Sequence, residues 1–253
     1  MTARTVVAIG SVLVSLASGG CLKVYDTHVE VPIQAKIDVS AFRRVLVAGF
    51  VTGGSKAIDP NTETARLLKS QLRSKQDMRV VDADVISLVD EVDRRASTPP
   101  PAPAAAGDPR VKDERDLARY DPIFSDEAYW KQIGQQYDNP LIVTGSVLFT
   151  EISKSGMVSR PSSYMGNDGS EQYRTERVYA DLKGYALSPT FVFIDGRTGK
   201  QLAREPYHEE TLYQAGQNTP ALSSYFELMD KLLPSFLNTL SSQKIPGSRQ
   251  LLK

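Results

Sequence analysis

The apolar pattern changes period several times along this chain, and each change marks an element. Arg43–Val51 (RRVLVAGFV) is an almost unbroken apolar run, as in a strand covered on both faces. Gly53-Gly54-Ser55 ends it. Asp59-Pro60 then starts a helix, with Asp as cap and Pro at the first helical position. That helix is expected to reach about Lys75, with Thr64, Leu68, Gln71 and Leu72 along one stripe. Met78–Val81 reads as a short strand. Val85–Arg95 reads as a second helix, with Val85, Leu88, Val89 and Val92 at helical spacing and Asp84 as its cap. A third helix opens at Ser125-Asp126-Glu127 and carries Trp130, Ile133 and Tyr137 on one side. Leu141–Ile152 (LIVTGSVLFTEI) is the strongest strand pattern in the chain.

After it the pattern weakens. Ser153–Glu176 is a polar stretch, rich in Ser, Gly and Tyr. Arg177–Ala186 and Thr190–Asp195 read as two strand pieces divided by Ser188-Pro189. Asp195–Lys200 is a tight turn, and Gln201–Tyr213 the returning arm. Ala221–Ser242 is the last helix, its apolar stripe running from Leu222 to Leu240, with Pro234 expected to kink or split it. Ile245–Lys253 reads as a loose polar tail. Strand–helix–strand–helix followed by strands gives the fold class α/β, a single three-layer-like domain with a mixed sheet flanked by helices, over residues 42–242. Within it, Ser97–Asp108 (STPPPAPAAAGD) begins a Pro/Ala-rich insertion over about 97–121, read as a solvated loop.

The N-terminus follows a different logic. Arg4 precedes an apolar run from Thr5 to Leu16, then the small residues Ala17-Ser18-Gly19-Gly20, then Cys21, the one cysteine in the chain. This is the three-part build of an export signal over residues 1–20. The apolar run is about 12 residues, short of the roughly 20 a spanning helix needs. Cys21 has no second cysteine to pair with, and a lone thiol is a liability in an oxidising compartment. Residues 21–41 form a tether, with His28–Val39 alternating like an edge strand.

Composition narrows the function. Removing residues 1–20 takes away one charge, Arg4, and leaves 29 basic against 30 acidic side chains on 233 residues. That balance gives no footprint for nucleic acid or anionic lipid. The two histidines, His28 and His208, lie far apart in sequence, and no second His or Cys completes a metal set around His208-Glu209-Glu210. Gly49–Lys56 (GFVTGGSK) lies between a strand and a helix but lacks phosphate-loop spacing. No nucleophile elbow is present. No catalytic residue, cofactor or metal is expected. Asp82, Asp84 and Glu209 are the carboxylates that an acidic hydrolase or ligand site would use.

FRRVLVAGFV, the T-x-x-x-x-L-L helix, MRVVDADV, NPLIVTGSVLFTEI, RVYADLKGYAL and FVFIDGRTGKQL occur in that order after a lipobox-like Cys21. Together they resemble the CsgG/LpoB-like outer-membrane lipoproteins, those with a curli-secretion-type α/β domain. The resemblance covers roughly residues 42–242. It implies lipid on Cys21 and a non-enzymatic domain on the periplasmic face of the outer membrane that binds or regulates an envelope assembly or secretion partner. A homo-oligomer is compatible with it. The alternatives are a curli-type secretion channel subunit and an envelope hydrolase or small-ligand-binding protein. The channel requires two membrane hairpins. Ser153–Tyr173 would correspond to the first, without sustained apolar alternation, and Gln214–Pro220 is too short for the second.

Overall fold

The computed structural model describes residues 24–33, 35–74, 78–96, 111–214, 217, 219–241 and 243–252. The expected export signal over residues 1–20, Cys21 and residues 97–110 of the Pro/Ala-rich insertion lie outside the described residues. The chain forms two compact units, one spanning Gln34–Ser242 and the other made of the two terminal segments.

The larger unit is α/β, with a six-stranded mixed sheet between two layers of helices. Its strands are β2 (Arg44–Gly54), β3 (Arg79–Val80), β4 (Leu141–Met165), β5 (Glu171–Asp195), β6 (Gln201–Pro206) and β7 (Glu209–Gln214). The order is β3-β2-β4-β5-β6, and β7 also pairs with β5. The β2 pairings with β3 and β4 are parallel, and those of β5 are antiparallel.

The apolar run of β2 is buried on both faces, as its pattern requires. Val45, Val47 and Phe50 enter one core, with α1 (Pro60–Arg73) and α5 (Ala221–Leu240). Leu46, Ala48 and Val51 enter the other, with α2 (Leu88–Ala96), the 3-10 turn Ala118–Ser125 and α4 (Glu127–Gln136). The change from odd to even positions within β2 comes from a register shift between Val47 and Gly49. Gly49 has φ +148°, and a Cβ there would lie 2.1 Å from the Ile86 carbonyl oxygen. The glycine-rich stretch is thus explained by close backbone packing. Asn61 completes the junction, accepting from Phe50 N–H at 2.8 Å and donating to Ile86 O at 3.2 Å.

The helix signals hold with small shifts. Asp59 caps α1, accepting from Asn61 N–H at 3.1 Å. Asp126 caps α4, accepting from Tyr129 N–H at 3.0 Å. The second helix starts at Leu88 rather than Val85, so Asp84 is not its cap. Pro234 does not split α5, which continues for 20 residues. A short α3 (Glu114–Leu117) and the 3-10 turn replace the expected loop over the second half of the insertion. Val111, Tyr120, Ile123 and Phe124 are core there, and the Trp130 indole N–H donates to Ile123 O at 2.8 Å.

The strand expectations need larger corrections. The polar stretch Ser153–Glu176 is the outer part of a hairpin: β4 and β5 each run 25 residues and pair from Leu141↔Asp195 to Met165↔Glu171. Ser188-Pro189 does not divide β5. On the far edge of β5, pairing with β7 ends at Leu187 and pairing with β6 begins at Thr190. Pro189 therefore sits in the gap between two neighbours, where a missing N–H costs no ladder bond. Its carbonyl accepts from Tyr207 N–H at 2.8 Å. The returning arm splits at Tyr207-His208 into β6 and β7.

In the second unit, β1 (Val24–Ile33) pairs antiparallel with β8 (Gln243–Leu252), from Val24↔Leu252 to Ile33↔Gln243. The expected tail is therefore a strand, and the tether strand starts and ends earlier than the alternation over 28–39 implied.

Candidate functional site

The outer part of the β4–β5 hairpin is the most exposed regular structure in the larger unit. The β2–β4 ladder ends at Gly54↔Phe149, and the β5–β7 ladder ends at Leu182↔Gln214. From Ser155↔Asp181 to Met165↔Glu171, β4 and β5 pair only with each other, over roughly 35 Å of strand by the usual rise per residue. The ribbon closes at Gly166–Ser170, where Asp168 accepts from Ser170 N–H at 3.0 Å and Ser170 Oγ at 2.6 Å. These bonds hold the Asp168 carboxyl below its usual range.

Strand alternation separates the ribbon into two faces. One continues the α2/α4 side of the sheet and is satisfied internally. Tyr164 Oη donates to Gln172 Oε1 at 2.7 Å, Arg174 lies over the Tyr164 ring at 5.5 Å, and Arg174 pairs with Glu176. Val158 sits opposite Val178.

The other face continues the α1/α5 side. It carries Met157 opposite Tyr179, Ser159 opposite Arg177, Pro161 opposite Thr175, Ser163 opposite Tyr173 and Met165 opposite Glu171. Met157, Met165, Tyr173 and Tyr179 are 63%, 72%, 73% and 69% exposed, among the largest apolar exposures of the described residues. Between Asp181 and Glu171 this face holds one charge, Arg177, which has no ion-pair partner among the described residues. Tyr173, Tyr179 and Tyr185 recur every six residues along β5, roughly 20 Å apart.

Where this face meets the body lies an open cleft of about 370 Å³, lined in part by Glu151, Ser153, Lys183, Tyr185 and Tyr213. Tyr185 stacks on Phe149, centroids 4.9 Å apart and 9° from parallel. Burial raises the Tyr185 phenol above its usual value, and the nearby Glu151 charge adds to this. Tyr213 Oη donates to Glu227 Oε2 at 2.7 Å, tying the cleft wall to α5. Hydrogen bonds from Lys231 first, then Tyr213, hold Glu227 below its usual range.

The opposite face at the ribbon root holds a hydrogen-bonded chain. Ser188 Oγ lies 2.8 Å from His208 Nδ1, and His208 Nε2 lies 3.2 Å from Glu210 Oε1. Lys154 pairs with Glu210 and, with His208, lowers the Glu210 carboxyl. The chain ties β4, β5 and β7 together at an open surface. His208 thus has hydroxyl and carboxylate neighbours that its sequence neighbourhood did not reveal.

The carboxylates proposed for an acidic site do not converge. Asp82 and Asp84 are exposed in the segment after β3, where Asp82 meets Arg73 at 3.3 Å. Glu209 is on β7, across β2, β4 and β5 from there, which is roughly 19 Å by strand spacing. No group of three or more His, Cys, Asp or Glu suited to a metal occurs among the described residues. Thr144-Gly145-Ser146 has a packing role. Thr144 Oγ1 donates to Gly49 O at 2.7 Å, and a Cβ on Gly145 (φ +141°) would lie 1.9 Å from Thr190 O. No described helix is long and apolar enough to cross a membrane, which says nothing of strands. His28 falls within β1.

No protein-family model matches the chain, and no curated protein matches it. Among solved structures the chain is similar to lipoprotein GNA1162 from Neisseria meningitidis, at 12% identity and a TM-score of 0.31. The similarity covers 79% of this chain and 99% of that one.

Proposed function

We propose that this protein is a lipid-anchored outer-membrane lipoprotein, facing the periplasm, that binds or regulates an envelope assembly or secretion partner without catalysing a reaction. The outer β4–β5 hairpin is its docking surface. The observation that carries the reading is the exposed Met/Tyr strip on that hairpin, since solvent-facing apolar side chains grouped on one face mark interaction sites. The export pattern ending at Cys21 supports the lipid anchor. A membrane-spanning role suits the hairpin poorly. A lipid-facing strand face needs an apolar band about 25 Å tall. Here Arg177 interrupts one face, and Arg160, Arg174 and Glu176 interrupt the other.

Proximity labelling from the mature domain in intact cells tests this. The native chain should enrich an envelope protein relative to both a Cys21→Ala variant and a variant with residues 156–180 replaced by Asn-Gly. Equal labelling by all three chains would sink the proposal.

A further inference from the structure

The hairpin strip has a second property: it is complementary to itself. We propose that two copies of this chain form a dimer by packing their α1/α5-side hairpin faces together, about a two-fold axis running along the Met157–Tyr179 pair. This rests on reading the hairpin as a docking surface and names a second copy as the occupant of one of its two faces. An envelope partner that docks on the same strip would compete with the second copy for it.

Such an axis keeps β4 over β4 and β5 over β5 but reverses their direction. A residue a given number of positions before Tyr179 then faces the residue the same number after it in the second copy. At the axis, Tyr179 meets Tyr179 and Met157 meets Met157. Two positions out, Arg177 meets Asp181, and the symmetry makes this contact twice. Asp181 accepts from Ser155 Oγ at 2.6 Å through Oδ1, which leaves Oδ2 for the guanidinium. Six positions out, Tyr173 meets Tyr185 at the cleft. The cleft's 370 Å³ admits a phenol ring, Phe149 stacks on Tyr185 and holds it in place, and Glu151, Ser153 and Lys183 are polar partners for the incoming hydroxyl. On β4 the same operation sets Ser155 against Ser159 and Ser153 against Pro161. These are small side chains that permit the usual sheet spacing of about 10 Å.

A two-fold interface must match its own surface. A strip with a lone cation at its centre would set like charges together. Here the opposite charges lie symmetrically around an aromatic centre, and the aromatic ladder is symmetric about the same point. Covering Met157, Tyr173, Tyr179 and the open side of Tyr185 with their neighbours buries roughly 600–800 Å² per copy, the lower range of stable interfaces. It also covers a two-stranded ribbon, an arrangement only marginally stable alone in water.

Charge reversal with cross-rescue tests the dimer. In chains lacking residues 1–20 and carrying Cys21→Ser, the native face should give a dimer in analytical ultracentrifugation. Arg177→Asp sets Asp against Asp181, and Asp181→Arg sets Arg against Arg177. Each alone should weaken dimerisation at least about tenfold. Mixed together, the two variants place opposite charges at both contacts and should recover the dimer, which misfolded chains could not do. In the same background, Tyr179→Cys should cross-link to itself with a bis-maleimide of about 10 Å reach, matching the sheet spacing. Arg160→Cys, on the other face, should not.

A native chain that stays monomeric, single variants that dimerise as tightly as the native chain, or a mixture with no gain would each overturn the proposal. The two readings fail separately. A monomeric chain whose hairpin is still needed for partner labelling removes only the dimer. Dimers that label no envelope protein remove only the partner.

Discussion

Single residues decide how closely the two cores meet the sheet. Gly49 and Gly145 allow backbone contacts that any Cβ would block, and Thr144 links their strands through its hydroxyl. Asp195 sets the turn before β6. Burial is the largest single influence on its carboxyl and acts to raise it. The side-chain and backbone hydrogen bonds of Arg197, its charge, and Thr198 outweigh burial, so Asp195 is held below the ordinary value of 3.8. A lowered folded-state value contributes stability that is present above the unfolded value and lost as pH falls through the folded one. The native chain should therefore exceed Asp195→Asn in urea midpoint at neutral pH, and the gap should close on acidification below about 3.8. A gap that stays constant or widens in acid would contradict this assignment.

At the scale of elements, the hairpin is the part most open to alteration. The two cores take residues of β4 and β5 up to Phe149 and from Leu187 onward, with Tyr185 packed at the margin. Replacing residues 156–180 with Asn-Gly would join strands at the paired Ser155 and Asp181 through a two-residue turn suited to their twist. Thermal unfolding should then change by less than about 1 kcal/mol, as for surface changes far from the core. A large loss would mean that the outer ribbon supports the fold. The sequence read this region poorly for a physical reason. A ribbon exposed on both faces has no buried side to impose apolar alternation, so Ser, Arg and Tyr occur on both faces. The same reasoning covers Ser188-Pro189: only the gap between β6 and β7 makes a proline acceptable inside β5.

The whole molecule adds the pairing of its ends. Deleting residues 243–253 removes β8, and hydrogen exchange should then show loss of amide protection over residues 24–33, while residues 34–242 keep theirs. Unchanged protection of β1 would show that it does not depend on β8. This pairing joins segments more than 200 residues apart, so no local pattern in Ile245–Lys253 announces it.

By itself the sequence determined the α/β class, the positions of α1, α4 and α5, and the buried strands β2 and β4 up to Ile152. In those segments burial on a fixed side imposes a period that side-chain chemistry must follow. The export reading that ends at Cys21 likewise rests on a linear pattern alone, and belongs to the proposed function. The tertiary structure decided the rest: the hairpin of two 25-residue strands, the β1–β8 pair, the Ser188–His208–Glu210 chain and the cleft beside Tyr185. Each of these depends on which strands become neighbours and in what register. Alternation along β5 already sets Arg177, Tyr179 and Asp181 on one face; the pairing decides that this face lies beyond β7 and stays open to solvent.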